Sequence, residues 1–341
     1  MIIRSKAPLR IGLAGGGTDV SPYSELYGGA ILNATISLYA HASIEPLTQP
    51  KIIIHAVDRD ELVEVPLQDA LQIDGHLDLA KGIYNRIVST YGNVPSGFKL
   101  TTQVDAPAGS GLGTSSTLVV AILGAFAEWM NIPLGEYDVA HLSYQIERVD
   151  LNMAGGKQDQ YAAAFGGVNF MEFYANDKVI VNPLRIKAEY INELENNLLL
   201  FYTATSRNSA VIIEAQSKNV VDKNEDSIAA MHHLKEQAQM MKEALLMGRI
   251  NDIGKILDFG FQHKKQMAQG ITNTLIDDLY TAALKAGATG GKISGAGGGG
   301  FMTFYCPGTT RYNVMKALEP FGGMIHPYRF VEHGLFTWTT K

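Results

Sequence analysis

Between residues 35 and 45 apolar and polar positions alternate. Ile36, Leu38, Ala40, Ala42 and Ile44 fall on one side, and Ser37, Tyr39, His41, Ser43 and Glu45 on the other. A period of two predicts a half-buried antiparallel strand. KIIIHAV at 51–57 and FKLTTQV at 98–104 also read as strands. From Ser115 to Met130 the chain is rich in Leu, Ala and Val, interrupted only by Gly124, which predicts a largely buried helix. A second helix is expected over 135–150. Around 174–197 the apolar pattern breaks up and charge rises. A boundary near residue 183 therefore divides the chain into an N-terminal domain, 1–183, and a C-terminal domain, 184–341. Beyond it LLLFYT at 198–203 reads as a strand. Residues 224–247 carry Ile228, Met231, Leu234, Ala238, Met241 and Leu245 at helical spacing. Asn224 or Asp226 suits the start of that helix, and Gly248 its end. GFMTFYC at 300–306 is a further strand. Strands and helices are mixed rather than strictly alternating, so the expected class is α+β.

Composition narrows the function classes. The single Cys306 excludes an internal disulfide framework and a cysteine-based zinc or iron–sulfur site. The formal net charge is −6 and no basic run occurs, which argues against a nucleic-acid or anionic-membrane surface. MIIRSKAPLRIG at the N-terminus lacks the apolar core of a signal peptide, and no apolar run reaches the length of a membrane span. The expectation is a cytoplasmic protein with a small-molecule partner. The nine histidines show no metal-binding spacing; His232 and His233 are neighbours on a helix and diverge. The methionines at 231, 240, 241 and 247 suit packing.

Glycine is the informative residue. Many of the 35 glycines fall in three clusters: AGGGTD at 14–19, GSGLG at 109–113 and GATGGKISGAGGGG at 287–300. Such clusters beside strands and helices suggest backbone approaching a ligand. In DAPAGSGLGTSSTLV at 105–119 a strand ends near Val104 and a helix begins near Ser115. Glycines there let successive N–H groups point into one concavity, and the helix N-terminus adds free donors and a positive dipole end. Thr114, Ser115 and Ser116 supply hydroxyls at the same place. The loop suits a polyphosphate with bound Mg²⁺. It is not a Walker A loop, because no lysine follows the glycines. It is not the dinucleotide fingerprint either, because Thr114 stands where glycine is required, and this argues against a NAD enzyme. Read without a ligand, it is a helix start after a glycine turn.

PAGSGLGTSS resembles the nucleotide-binding motif of the GHMP kinase superfamily. Two more motifs of that superfamily stand in the expected order: APLRIGLAGGGTD at 7–19 is similar to the N-terminal substrate-side motif, and KISGAGGGGFM at 292–302 to the C-terminal glycine motif. The resemblance spans essentially the whole chain. It implies an ATP-dependent phosphotransferase with the GHMP two-domain fold, a ribosomal protein S5 domain 2-like N-terminal domain and a ferredoxin-like C-terminal domain. ATP would then lie on Pro107, Gly109, Ser110, Gly111, Leu112, Gly113, Thr114, Ser115 and Ser116.

The same resemblance assigns the acidic residues of ERVDLNMAGGKQDQYAAAFGG at 147–167. Asp159 matches the catalytic aspartate, Glu147 the magnesium-ligand glutamate, and Ser115 the serine that completes the metal site. Without the resemblance, Glu147 reads as a solvated residue on a helix face and Asp159 as a turn former. Arg10 falls where sugar-kinase members place an arginine near the acceptor oxygen, and it otherwise pairs with a surface carboxylate. Gly17, Thr18 and Asp19 match the sugar-binding part of the N-terminal motif; alone, Asp19 suits an Asx turn. Gly297 and Gly298 belong to the third motif, whose N–H groups are expected near the active site; its structural alternative is tight helix–strand packing. FYTATSRNSA at 201–210 resembles the second-domain segment that meets substrate in sugar-phosphate kinases, but has Ala204 where glycine is usual; Arg207 is its candidate phosphate contact, or part of a polar surface loop.

Within the superfamily, LAGGGTDVSPYSELYGGAILN at 13–33 is similar to the branch of bacterial heptose 7-phosphate kinases, with L-fucokinases next. The implied reaction is phosphorylation of the anomeric hydroxyl of a sugar phosphate, with Lys157 and Arg207 as the cations for the far phosphate. A fucokinase or other sugar 1-kinase is the nearest alternative. A non-catalytic sugar- and ATP-binding homologue is the other, and the intact Asp159, Glu147 and Ser115 argue against it.

Overall fold

The computed structural model describes residues 1–205 and 209–341. The elements run β1 (Ile2–Ala14), α1 (Tyr23–Tyr27), β2 (Gly29–Leu47), β3 (Lys51–Ala56), β4 (Glu61–Pro66), α2 (Asp78–Tyr91), β5 (Gly97–Val104), α3 (Thr114–Met130), α4 (Glu136–Gln145), α5 (Gln158–Phe165), β6 (Val168–Phe173) and β7 (Val179–Pro183). There follow α6 (Ala188–Asn197), β8 (Leu198–Tyr202), α7 (Ser209–Val221), α8 (Glu225–Leu246), α9 (Ile253–Lys264), α10 (Thr274–Lys285), β9 (Gly290–Ile293), β10 (Phe301–Tyr305), α11 (Arg311–Leu318), β11 (Met324–Ile325) and β12 (Phe336–Thr340).

Two sheets organise the chain. The first has the order β12-β1-β2-β5-β3-β4, with β6 on β2 and β7 on β6; the second has the order β11-β8-β10-β9. Among the described residues every strand pairing is antiparallel except β3 with β5. The 19-residue β2 binds β6 through its first part and β5 through its second, with β1 along the other edge. The chain's last strand returns to the first sheet, where Ile2 faces Thr340. The register of β1 on β2 slips between Pro8 and Arg10 and again between Gly12 and Ala14. Such irregularities re-aim side chains, and these flank the stretch that lines the cavity described below.

The alternation read for 35–45 is what builds the core. Ala40, Ala42 and Ile44 are buried in a first cluster with Ile54, Phe98 and the α3 residues Val119, Leu123 and Phe126. Fully burying one such large side chain is worth about 1.5–3 kcal/mol. The first part of β2 contributes Ala30, Leu32, Ala34 and Ile36 to a second cluster, together with Leu9, Ile11 and Leu13 of β1 and Ala238, Met241 and Leu245 of α8. β1 therefore gives Ile3 and Ala7 to one core and Leu9 to Leu13 to the other. The second sheet is covered on both faces: Leu198 and Leu200 enter the second cluster, Leu199 and Phe201 a third, with Met231, Leu234 and Phe261.

The expected α8 starts as foreseen, with the Asn224 side chain accepting from the Ser227 N–H, and Gly248 beyond its end takes φ +70°. The expected helix over 135–150 is α-helical only to Gln145; Ile146–Asp150 is a π-helical turn, and that turn carries Glu147. No helix among the described residues is long and apolar enough to cross a membrane.

Candidate active site

A cavity of about 560 Å³ is walled by Arg10 and Gly12 of β1, Gly16, Gly17 and Asp19, the loop 109–116, the stretch from Glu147 to Asp159, α7, Lys264, Lys292 and Gly295. The loop before α3 makes the first wall. Gly109, Gly111 and Gly113 take φ of +72°, +82° and +79°, values that L side chains avoid. A Cβ on Gly111 would approach the Ser294 backbone to 2.7 Å, and one on Gly295 would approach the Gly111 Cα to 2.7 Å. The loop and the third glycine motif thus pack backbone on backbone, joined by Phe301 N donating to Ser110 O at 2.9 Å. Gly109, Gly111, Gly113, Thr114, Ser115 and Ser116 line the cavity; Pro107, Ser110 and Leu112 do not. Leu112 is buried in the second core, and Ser110 is fully buried as well.

Asp159 sits in the first turn of α5, against Gly113. Arg10 reaches it: Nε donates to Asp159 Oδ1 at 2.7 Å, Nη2 lies 2.6 Å from the same oxygen, and Nη1 donates to Gly111 O at 2.6 Å. One guanidinium thereby ties the carboxylate to the phosphate loop. Glu147 is fully buried; Ser115 Oγ donates to its Oε1 at 3.2 Å, the Gln160 amide donates to its Oε2, and Arg148 Nη2 stands 3.8 Å from Oε2.

Asp19 is 1% exposed yet borders the cavity. Its Oδ2 accepts the N–H groups of Lys157 at 2.9 Å and Gln158 at 3.0 Å, so it caps α5 from a distant part of the chain. Burial pushes its carboxyl up, the Asp159 charge adds to this, and the N–H donors oppose it. Gly156 is required here, because a Cβ would overlap the Asp19 carboxylate. Thr18 is buried and faces away; its hydroxyl donates to Gly15 O at 2.8 Å and Ala30 O at 3.0 Å, closing the turn.

The families described as GHMP kinases N terminal domain and GHMP kinases C terminal match residues 78–167 and 241–319. The D-glycero-alpha-D-manno-heptose 7-phosphate kinase of Campylobacter jejuni subsp. jejuni is 46% identical over 98% of this chain and 98% of its own. The chain belongs to the GHMP kinases. The crystal structure of a D-glycero-D-manno-heptose 1-phosphate kinase from Bacteroides thetaiotaomicron superposes with a TM-score of 0.84 at 45% identity, covering 99% of both chains. The L-fucokinase/L-fucose-1-P guanylyltransferase of Bacteroides fragilis is more distant, 26% identical over 88% of this chain and 34% of its own length.

In this GHMP kinase the expected site residues do not all converge. Arg10, Gly17, Asp19, Ser115, Glu147 and Asp159 share the cavity. Lys157 does not reach it: its ammonium pairs with Asp177 at 2.7 Å and Glu25 at 3.2 Å and lies over the Tyr144 ring. Its expected part as a cation for the far phosphate therefore has no geometric support. Gly297 and Gly298 pack on the Ile271 backbone, with Gly298 N donating to Ile271 O at 2.8 Å, while Gly295 and Ala296 face the cavity instead. Arg207 lies outside the described residues.

Sequence reasoning missed Lys264 and Lys292. Lys264 Nζ donates to Gly295 O and Lys292 Nζ to Gly12 O, each at 2.6 Å. Burial lowers the Lys264 ammonium to about 8, with Arg10 adding to the effect and Asp19 opposing it. Lys292 is held well below the ordinary lysine value by burial and by Lys264 and Arg10. One signal was present: Lys264 continues the stripe Ile253, Ile256, Leu257, Gly260, Phe261 on the apolar side of α9. A lysine on such a stripe is either paired or functional.

Proposed function

We propose that this GHMP kinase transfers the γ-phosphoryl group of ATP to the anomeric hydroxyl of a sugar phosphate, D-glycero-D-manno-heptose 7-phosphate. The observation that carries the reading is the Arg10–Asp159 pair, tied through Gly111 to the phosphate loop inside one cavity. The heptose assignment is supported by the 46% identity to a heptose 7-phosphate kinase along nearly the whole of both chains. ATP as donor fits a cytoplasmic reaction. We also propose that the chain divides near residue 183 and that ATP and sugar meet in the cleft between the two halves.

The ATP phosphates lie on the N–H groups of the loop 109–116 and the first turn of α3. With Oδ1 held by the guanidinium, the Oδ2 atom of Asp159 has no protein hydrogen-bond partner among the described residues and is left for the acceptor hydroxyl. As the acceptor oxygen bonds to the γ-phosphorus and the bond to the ADP oxygen breaks, the hydroxyl proton passes to Asp159. Arg10 stabilises the charge on the acceptor oxygen. Asp19 holds the start of α5, which carries Asp159, and its Oδ1, which accepts from the Gln158 side-chain amide at 3.4 Å, is also offered to sugar hydroxyls.

The residues present fit a Mg²⁺ ion. Ser115 Oγ and the buried Glu147 Oε1 are 3.2 Å apart on the loop side of the cavity, an oxygen pair suited to a hard cation that keeps water and phosphate ligands. Among the described residues no group of three or more His, Cys, Asp or Glu forms an all-protein metal site. The ion would neutralise charge on the ATP phosphates.

The test is an ADP-release assay over heptose 7-phosphate, heptose 1-phosphate, unphosphorylated heptose and L-fucose, with phosphorus NMR of the product. The expected result is preferred turnover of heptose 7-phosphate and a new anomeric phosphate. Preferred turnover of L-fucose, or phosphorylation away from the anomeric carbon, overturns the assignment.

A further inference from the structure

Lys264 and Lys292 enter the cavity from different elements, α9 and β9, and both are buried, at 4% and 7% exposure. Neither forms an ion pair with a carboxylate among the described residues. Each ammonium has one backbone carbonyl instead, Gly295 O and Gly12 O. A Cβ on Gly16 would come within 3.7 Å of Lys264 Nζ and 3.9 Å of Lys292 Nζ, so this glycine leaves room beside both. The next residue, Gly17, lies by the Gln216 side chain. Gln216 lines the same cavity, is 2% exposed, and its Nε2 has no hydrogen-bond partner among the described residues. Two N–H bonds on each ammonium, four in all, and the two N–H bonds of the free Gln216 amide are therefore available around two consecutive glycines.

Buried cations without counter-ions are costly, and a protein keeps them where a ligand supplies the missing charge. Arg10, the third cation here, is already committed to Asp159 and Gly111. The carboxylates that face this floor are Asp19, engaged by the start of α5, and Glu214 on the α7 wall. Neither forms an ion pair with the lysines among the described residues, and Asp19 offsets the charge of Lys264 only in part.

We propose that Lys264, Lys292 and the Gln216 amide form the subsite for the phosphate monoester already carried by the acceptor. The proposal rests on the sugar-phosphate kinase reading above and deepens it. It replaces Lys157, whose ammonium is spent on Asp177 and Glu25. A dianion between the two ammoniums restores the charge that burial takes from them, and the depressed Lys264 value agrees with a site completed by its ligand. The subsite would make the enzyme select phosphorylated over unphosphorylated sugars, because an acceptor without the phosphate leaves both ammoniums and the amide unmatched.

Lys264→Met and Lys292→Met test this, each compared with wild type on heptose 7-phosphate and on unphosphorylated heptose. The expected result is a fall of about 10–100-fold in the ratio of kcat/KM values for the two acceptors. If both acceptors lose rate equally, the lysines act on the transferred phosphoryl group and the proposal fails. It also fails if the ratio does not change. Inorganic phosphate supplies a second readout that needs no turnover: it should raise the thermal midpoint of wild type and not of either variant. If wild type turns over neither heptose, the function reading fails, and phosphate protection still decides the subsite. Circular dichroism and the ligand-free midpoint of each variant confirm folding.

Discussion

Two regions of this protein bury lysine ammoniums, and they treat them in opposite ways. At Lys157 the charge is surrounded by Asp177, Glu25 and the face of Tyr144. Burial alone would lower its pKa, but these partners together outweigh burial and raise it above the ordinary lysine value. On the cavity floor, Lys264 and Lys292 have carbonyl oxygens and each other, and both are pushed down. The first region is balanced by the chain itself. The second is unbalanced until something anionic arrives. A buried charge therefore has to be read with its partners, since burial alone does not separate structure from function.

The largest effect expected is at the Arg10–Asp159 ion pair of the cavity. Asp159→Asn keeps the shape and lets the amide oxygen still accept from Arg10, but removes the charge and the proton acceptor. We expect kcat to fall on the order of 10²–10⁴-fold with ATP affinity within a few-fold. Near wild-type kcat on the sugar phosphate would remove Asp159 from the reaction.

Lys157→Met breaks the balanced region. Asp177 and Glu25 are partly exposed and rehydrate, so the cost is discounted to about 1–2 kcal/mol of stability, with kcat within about threefold. Denaturant unfolding beside steady-state kinetics checks this; a selective loss on phosphorylated acceptors would show instead that Lys157 serves the substrate.

Lys264→Met should do the reverse in the ligand-free protein. It removes an uncompensated buried charge, so stability should rise by about 1–3 kcal/mol while selectivity for the phosphorylated acceptor drops. An unfolding midpoint below that of wild type would mean that the ammonium is already satisfied by the protein.

The smallest effect is in the pH dependence. Below about pH 8 Lys264 is protonated in both the folded and unfolded chain and contributes no slope. Between pH 8 and the ordinary lysine value the unfolded chain holds a proton that the folded chain has released, so stability rises with pH. The extra slope of wild type over Lys264→Met approaches about 1.4 kcal/mol per pH unit in that window. Taking the difference between the two proteins cancels Cys306 and the buried tyrosines, which titrate nearby in the opposite sense. Parallel curves from pH 8 to 10 would mean that Lys264 titrates normally.

Much of this was legible from pattern. The alternation at 35–45 became the second half of β2, because one face meets a core and the other does not. Its first half, from Gly29, is buried on both faces and shows no alternation to read. The helix over 135–150 was visible, but not its change to a π-helical turn, since apolar spacing does not report which carbonyl an N–H chooses. The strand at 336–340 was not expected, because it depends on pairing with residues at the far end of the sequence. Among site residues, Asp159, Glu147, Ser115 and Arg10 were named from local motifs and meet in space. Lys157 was named from a motif too, yet its direction is set by Asp177 and Glu25, which no local pattern links to it. Lys264 lies outside every motif, and only its place on an apolar stripe marked it.

The division of β1 between two cores has a thermal consequence. Ile3 and Ala7 anchor one cluster and Leu9, Ile11 and Leu13 the next, along the one strand β1. Neither cluster can dissolve without pulling a length of that strand out of the other. The two halves are consequently coupled in melting: heat should not release one as a folded remnant of the other, and a calorimeter should record a single transition whose van't Hoff and calorimetric enthalpies agree.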